Sequence, residues 1–250
     1  MTDVILCGCA GKMGAAVQAA IQNREDCRVV AGVDVAKSPH SDFPIYTVPS
    51  EVTEPADVLI DFSHPTALEP ILEYCRLHPG TAAVLCTTGY DREQVERIHE
   101  ASKALPIFYS RNMSLGINLL IELVKKAEAV LGESFDVEIV EMHHNQKLDA
   151  PSGTALMLAD AINEVRQDRM KYTYDRHSQR KKREKSEIGL HSVRGGTIVG
   201  EHQVIFSGLH EVLTLSHSAQ SKELFASGAV QAAVFMKQQK PGLYDMSDLI

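Results

Sequence analysis

The first thirty-four residues constrain the fold more than any other part of the chain. Val4-Ile5-Leu6-Cys7 is a continuous apolar run, as expected of a strand buried on both faces, and it breaks at Gly8-Cys9-Ala10-Gly11-Lys12-Met13-Gly14. Ala15, Ala16, Val17, Ala19, Ala20 and Ile21 then continue as a helix, and a second apolar strand from Cys27 to Val33 ends at Asp34. Strand, glycine turn, helix, strand is the unit in which glycines let backbone amides approach a pyrophosphate at a helix N-terminus. An acid about 20 residues past the last glycine accepts from the ribose hydroxyls of such a dinucleotide. The spacing Gly-x-x-Gly-x-x-Gly is a variant of that fingerprint, with Ala10 and Met13 standing where its second and third glycines usually fall.

The pattern repeats. Asp57 to Phe62, Ala82 to Cys86 and Ile107-Phe108-Tyr109 read as strands, separated by helices from Pro65 to Leu77 and from Arg92 to Ala104. Repeated strand and crossover helix predict an α/β fold with a doubly wound parallel sheet. Cys86-Thr87-Thr88-Gly89 and Ser110 to Gly116 fall at strand ends of that sheet, where hydroxyls and amides can hold a nicotinamide ribose and carboxamide or simply form polar turns. Asp34 favours NADH, because a carboxylate repels a 2′-phosphate. Lys12 and Lys37 either offset such a phosphate as point charges or are solvated surface lysines, so the choice between NADH and NADPH stays open, with NADH at least acceptable.

The second half concentrates proton chemistry in one connection. Val137 and Ile139 alternate with polar neighbours Glu138 and Glu141 as in a half-buried strand, and Leu156, Ala159, Ile162 and Val165 recur at helical spacing. Between them lie His143, His144, Lys147, Asp149 and the turn Pro151-Ser152-Gly153-Thr154. Capping residues at a helix start make a carboxylate or phosphate site. A carboxylate substrate held at Ser152, Gly153 and Thr154, with His144 assisting and Arg194 as a further candidate, is the expected occupant. No metal is expected, since adjacent histidines on an extended segment point in opposite directions and no helical His pair accompanies them.

Composition narrows the partners. A net charge of −8 argues against nucleic acid, and no apolar run approaches the roughly 20 residues of a membrane span. The N-terminus runs directly into a strand without a basic leader, so a cytoplasmic location is expected. Five cysteines scattered through apolar segments read as buried, reduced side chains. Residues 166–185 hold nine Lys/Arg against three Asp/Glu, which reads as an exposed, mobile stretch in preference to a binder of phosphate polymers.

The chain resembles the 4-hydroxy-tetrahydrodipicolinate reductase (dihydrodipicolinate reductase) family of the lysine pathway. The resemblance rests on Gly8-x-x-Gly11-Lys12-Met13-Gly14, Asp61-Phe62-Ser63, Thr87-Thr88-Gly89, Asn112-Met113-Ser114-x-Gly116-x-Asn118, Val193-Arg194-Gly195-Gly196 and Val199-Gly200-Glu201-His202. Above all it rests on Glu141-x-His143-His144-x-x-Lys147-x-Asp149-Ala150-Pro151-Ser152-Gly153-Thr154-Ala155. It implies a Rossmann-type domain formed by 1–111 and 222–250, and an α+β substrate domain over 112–221 with a mostly antiparallel sheet that also builds a homotetramer. It implies cofactor contacts from Gly8, Cys9, Ala10, Gly11, Lys12, Met13, Asp34, Cys86, Thr87, Thr88, Ser110, Arg111, Asn112 and Met113. His143 is then the proton donor and acceptor, Lys147 the proton donor, and His144, Gly153 and Thr154 bind substrate. Val35 stands where members that clamp a 2′-phosphate often carry Arg, so high selectivity for NADPH is not expected. Other two-domain oxidoreductases of amino or keto acids, and a dinucleotide-sensing regulator, are the competing readings.

Overall fold

The computed structural model describes residues 1–22, 24–36 and 42–250. Two compact units form, one from Met1–Leu115 with Glu223–Ile250 and the other from Gly116–Lys222.

In the first unit the apolar runs become β1 (Thr2–Cys7), β2 (Cys27–Val33), β3 (Ile45–Tyr46), β4 (Val58–Asp61), β5 (Ala82–Leu85) and β6 (Pro106–Tyr109). Helices α1 (Lys12–Gln22), α2 (Leu68–Leu77) and α3 (Arg92–Ser102) supply crossovers. Asp91 starts α3 with a reciprocal capping box to Gln94. Among the described residues the sheet has seven parallel strands in the order β12-β6-β5-β4-β1-β2-β3, where β12 (Gly242–Tyr244) follows the returning helix α6 (Glu223–Met236).

Alternation along each strand splits the core. Val4, Leu6, Val58, Ile60, Val84 and Phe108 pack with α1 and α6, while Ile5, Cys7, Leu59, Leu85 and Ile107 pack with α2 and α3. Burial on both faces is why these strands lack polar alternation. All five cysteines are buried and unpaired. The chain leaves β1 toward β2 on one side and takes up β4 on the other, so the topological switch point, where ligands of such sheets bind, lies between β1 and β4.

The second unit comprises α4 (Leu115–Leu131), β7 (Asp136–His143), α5 (Gly153–Val165), β8 (Lys171–Thr173), β9 (Glu187–Arg194), β10 (Gly200–Ser207) and β11 (Val212–Ala219). Its sheet, ordered β11-β10-β7-β9-β8, is antiparallel across β11, β10 and β7 and parallel across β7, β9 and β8. The parallel half follows from the helical crossover α5 between β7 and β9. Val137, Ile139, Ile188, Leu190, Val204 and Phe206 form its core with α4 and α5.

Most of the basic segment is exposed, as its composition suggests, and several of its arginines are anchored to the sheet. It contains β8, and Arg183 is bonded to Glu138 (2.9 Å), Asp136 (3.0 Å) and the carbonyls of Val137 and Glu187. Arg176 joins Glu138 (2.7 Å) to Glu187 (2.6 Å), and Arg166 is buried against Glu128. Carboxylates distant in sequence neutralise the run and fix it to the sheet. No helix among the described residues is long and apolar enough to cross a membrane.

Candidate active site

In the first unit, the turn after β1 is drawn tight by glycine. Gly8 has φ +77°, a conformation that side chains disfavour, and a Cβ there would lie 2.5 Å from the Phe62 carbonyl oxygen. A Cβ on Gly14 would meet the Gly8 carbonyl at 2.3 Å, so α1 sits directly on the loop. Gln18 Nε2 fastens the loop by donating to the carbonyls of Cys9 (2.9 Å) and Gly14 (3.3 Å). Ala10, Gly11 and Lys12 are left exposed, Met13 is half-buried, and Cys9 turns into the core. Asp34 reaches back over the loop: Oδ2 accepts the Ala10 amide and Oδ1 the Ala36 amide, both at 2.9 Å. The acid and the glycine loop are thus locked in register. Val35 is 90% exposed, and Lys37 lies outside the described residues.

The other strand-end loops present mixed faces. Cys86 and Met113 are core side chains, so only their backbones are available to a ligand. Thr88 and Arg111 are exposed. Ser110 Oγ donates to the Asn112 carbonyl (3.0 Å), and Asn112 Oδ1 accepts the Ser114 amide (2.9 Å), which fixes the turn into α4. Thr87 is buried, with its hydroxyl beside Asp61 and Tyr90. Close-approach glycines, an exposed turn leading into α1 and a fixed carboxylate fit a dinucleotide.

In the second unit, Glu141 and His143 occupy inward positions of β7, in phase with Val137 and Ile139. Glu141 is wholly buried. Its Oε2 takes His143 Nδ1 at 2.6 Å and Arg194 Nη1 at 2.8 Å; its Oε1 takes Arg194 Nη2 at 2.7 Å and the Ser152 amide at 3.2 Å. Parallel pairing sets His143 opposite Arg194 on β9, which explains the reach. Arg194 also donates to the Asp149 carbonyl at 2.6 Å. Ser152 caps α5 by accepting the Ala155 amide at 3.2 Å and is hydrogen-bonded to His202 Nε2 at 2.9 Å. The His202 ring stands edge-on to that of His143, with centroids 5.2 Å apart.

Burial raises the Glu141 carboxyl, but hydrogen bonds from Arg194, Ser192 and His143 outweigh it and hold the group at about 2. An ionised carboxylate only accepts, so His143 donates Nδ1–H and carries its lone pair on Nε2. Burial lowers the His143 pKa; Glu141 opposes this, and Lys147 and Arg194 reinforce it. His202, buried and near His143, falls to about 4. Lys147 Nζ bonds Asp149 Oδ1 at 2.9 Å, and this contact is the main cause of the lowered Asp149 pKa. A Cβ on Gly200 would lie 3.0 Å from His143 Nε2, so that glycine keeps the space beside the lone pair clear.

Of the residues expected at this site, His143, Ser152 and Arg194 converge on Glu141, and Lys147 lies near enough to act on His143. Gly153 is exposed and Thr154 half-buried in the first turn of α5. His144 is half-buried just past the end of β7. Glu141 and His202 were not assigned roles from sequence; a charged residue in phase with Val137 and Ile139 was the available signal. Among the described residues no group of three or more His, Cys, Asp or Glu is arranged to hold a metal.

Comparison with known proteins places these features in a family. Residues 2–113 match the dihydrodipicolinate reductase N-terminus and residues 116–250 the dihydrodipicolinate reductase C-terminus. A 4-hydroxy-tetrahydrodipicolinate reductase of Caldanaerobacter subterraneus subsp. tengcongensis is 53% identical, spanning 100% of this chain and 98% of the relative. One from Clostridium novyi (strain NT) is 47% identical with the same coverage. The solved dipicolinate-bound dihydrodipicolinate reductase from Paenisporosarcina sp. TG-14 aligns with a TM-score of 0.83 at 28% identity, covering 100% of both chains. With both halves of the family matched in order, and the glycine loop and the β7–α5 cluster inside the matched regions, the chain belongs to the dihydrodipicolinate reductase family.

Proposed function

We propose that the chain reduces 4-hydroxy-tetrahydrodipicolinate, or its dehydrated dihydro form, to tetrahydrodipicolinate in lysine and diaminopimelate biosynthesis, with NADH or NADPH as reductant. The observation that carries this reading is the Glu141, His143 and Arg194 cluster beside Lys147 on the connection between β7 and α5. Reduction adds one hydride and one proton to a cyclic unsaturated imine with two carboxylates, and the hydroxylated form also loses water. The reduced nicotinamide, when held by the glycine loop, Asp34 and the loops at Thr87 and Asn112, supplies the hydride.

The second unit provides the rest. Lys147 donates the proton from its ammonium, which Asp149 holds in place. His143, neutral and fixed as the Nδ1–H tautomer by Glu141, offers Nε2 as a hydrogen-bond acceptor and proton relay. Neighbouring cations depress its proton affinity, and a dianionic substrate raises it again, so substrate arrival loads the site with the proton it consumes. Gly153 and Thr154 at the start of α5 present the binding site for one carboxylate, with His144 assisting. Ser152 shapes that helix start through its cap, and Arg194, committed to Glu141, acts by holding the Glu141 charge in place.

Asp34 with Val35 beside it supports use of NADH at least as readily as NADPH. A homotetramer in the cytoplasm completes the proposal. Val140, Met142, Val193 and Ile205, on the sheet face of the second unit away from α4 and α5, offer apolar surface to further copies. Light scattering on the purified chain tests the assembly. The activity is tested by following NADH and NADPH oxidation in parallel, with substrate generated from pyruvate and aspartate semialdehyde by a synthase. Substrate-dependent oxidation supports the reading, and cofactor binding without oxidation refutes it.

A further inference from the structure

Asp61 closes β4 at the topological switch point, is wholly buried, and takes no part in the chemistry above. No cation faces it. Its Oδ1 accepts the Ser63 amide (3.0 Å) and the Ser63 hydroxyl (2.5 Å), and its Oδ2 accepts the Tyr90 hydroxyl (3.1 Å). Ser63 belongs to the loop after β4, and Tyr90 closes the loop that follows β5 and contains Thr87, Thr88 and Gly89. Tyr90 is braced in turn by an edge contact with Tyr109 at the end of β6 (5.9 Å). The loop after β1 joins the same assembly, because Gly8 approaches Phe62 and Ser63 too closely to carry a Cβ. One carboxylate therefore ties together the loops of the switch point, and the buried Thr87 hydroxyl stands beside it, close enough to help stabilise the Asp61 charge.

Folding alone gives little reason to bury a carboxylate against neutral hydroxyls. An apolar residue there would avoid the desolvation cost, which shows as an upward shift in the Asp61 pKa. We infer that Asp61 is a positioning residue of the cofactor site: it holds the Ser63 and Tyr90 loops so that the Thr87 hydroxyl and its neighbouring amides meet the nicotinamide half of the dinucleotide. The inference rests on the cofactor reading given above. Asp61 touches no ligand itself, and its effect is carried by Tyr90 and Ser63.

The test is NADH binding to the full chain by fluorescence, for wild type, Asp61→Asn, Tyr90→Phe and the double variant, with melting temperature measured on each. Wild type binding NADH secures the cofactor reading; absence of binding overturns both claims. Asp61→Asn is expected to weaken NADH binding about tenfold, the effect of one lost charge-assisted hydrogen bond. Tyr90→Phe weakens it to a lesser degree and adds little in the Asp61→Asn background, because both act through one contact. In steady state the loss appears in KM for NADH, with KM for the dicarboxylate unchanged. Should Asp61→Asn fail to fold, Tyr90→Phe alone decides the matter. Lowered melting temperature with an NADH Kd within about twofold of wild type assigns the network to folding only and overturns the proposal.

Discussion

Replacing Glu141 with Gln removes one charge and almost no volume, and the structure sets the size of the response. The carboxyl is held at about 2 against an ordinary value of 4.5. That difference corresponds to about 3 kcal/mol of stability. Because the folded value is depressed, the contribution is present in full above the ordinary value and is lost as pH falls from about 4.5 to about 2. Glu141→Gln removes it at neutral pH and leaves the Arg194 guanidinium facing an amide, so the variant is less stable by roughly 3 kcal/mol in urea titration. His143 also loses the acceptor that selects its tautomer and supports its protonation. We expect kcat to fall by about a hundredfold. The limb of the pH profile on which activity is lost with rising pH moves to lower pH, because the nearby negative charge no longer favours the protonated ring. A Glu141→Gln variant with wild-type kcat and an unshifted profile would show that Glu141 does not act through His143, even with the stability loss present.

Three further expectations follow from single contacts. Gly200→Ala places a Cβ 3.0 Å from His143 Nε2, so the ring must shift and kcat falls about tenfold or more; unchanged turnover would show that the space beside Nε2 is not used. Val35→Arg sets a guanidinium at an exposed position next to Asp34 and should shift kcat/KM about tenfold toward NADPH, which the ratio of the two oxidation rates checks. Arg183→Ala breaks the contacts that hold the basic segment to the β7 acids and should cost roughly 2 kcal/mol, with faster proteolysis within 171–187; an unchanged cleavage rate would contradict the pinned segment.

The parallel sheet was legible because strands buried on both faces carry apolar runs without alternation, and Val4 to Cys7 or Val58 to Ile60 leave little choice. The glycine loop was legible for a related reason: the Gly8 carbonyl lies where a Cβ on Gly14 would fall, so spacing in the sequence records a contact in space. Parity was available for Glu141 but was read as the polar side of the strand, although positions 137, 139, 141 and 143 share a face. His202 could not be placed from local sequence, since its partner Ser152 lies 50 residues away across the sheet. The anchoring of the basic segment was not legible because composition counts its own charges and not the acids opposite, Asp136, Glu138 and Glu187. The Arg194 commitment to Glu141 depends on the register of β7 with β9, which no local pattern encodes.

Whether the connection between β7 and α5 performs the proton chemistry of a nicotinamide-dependent reduction is decided by Lys147→Ala and His143→Gln. Turnover with synthase-generated substrate and NADH affinity are measured on the same preparations. With the proton chemistry on that connection, kcat falls by about a hundredfold or more in each variant while the NADH Kd is unchanged. Wild-type turnover in both variants would contradict it.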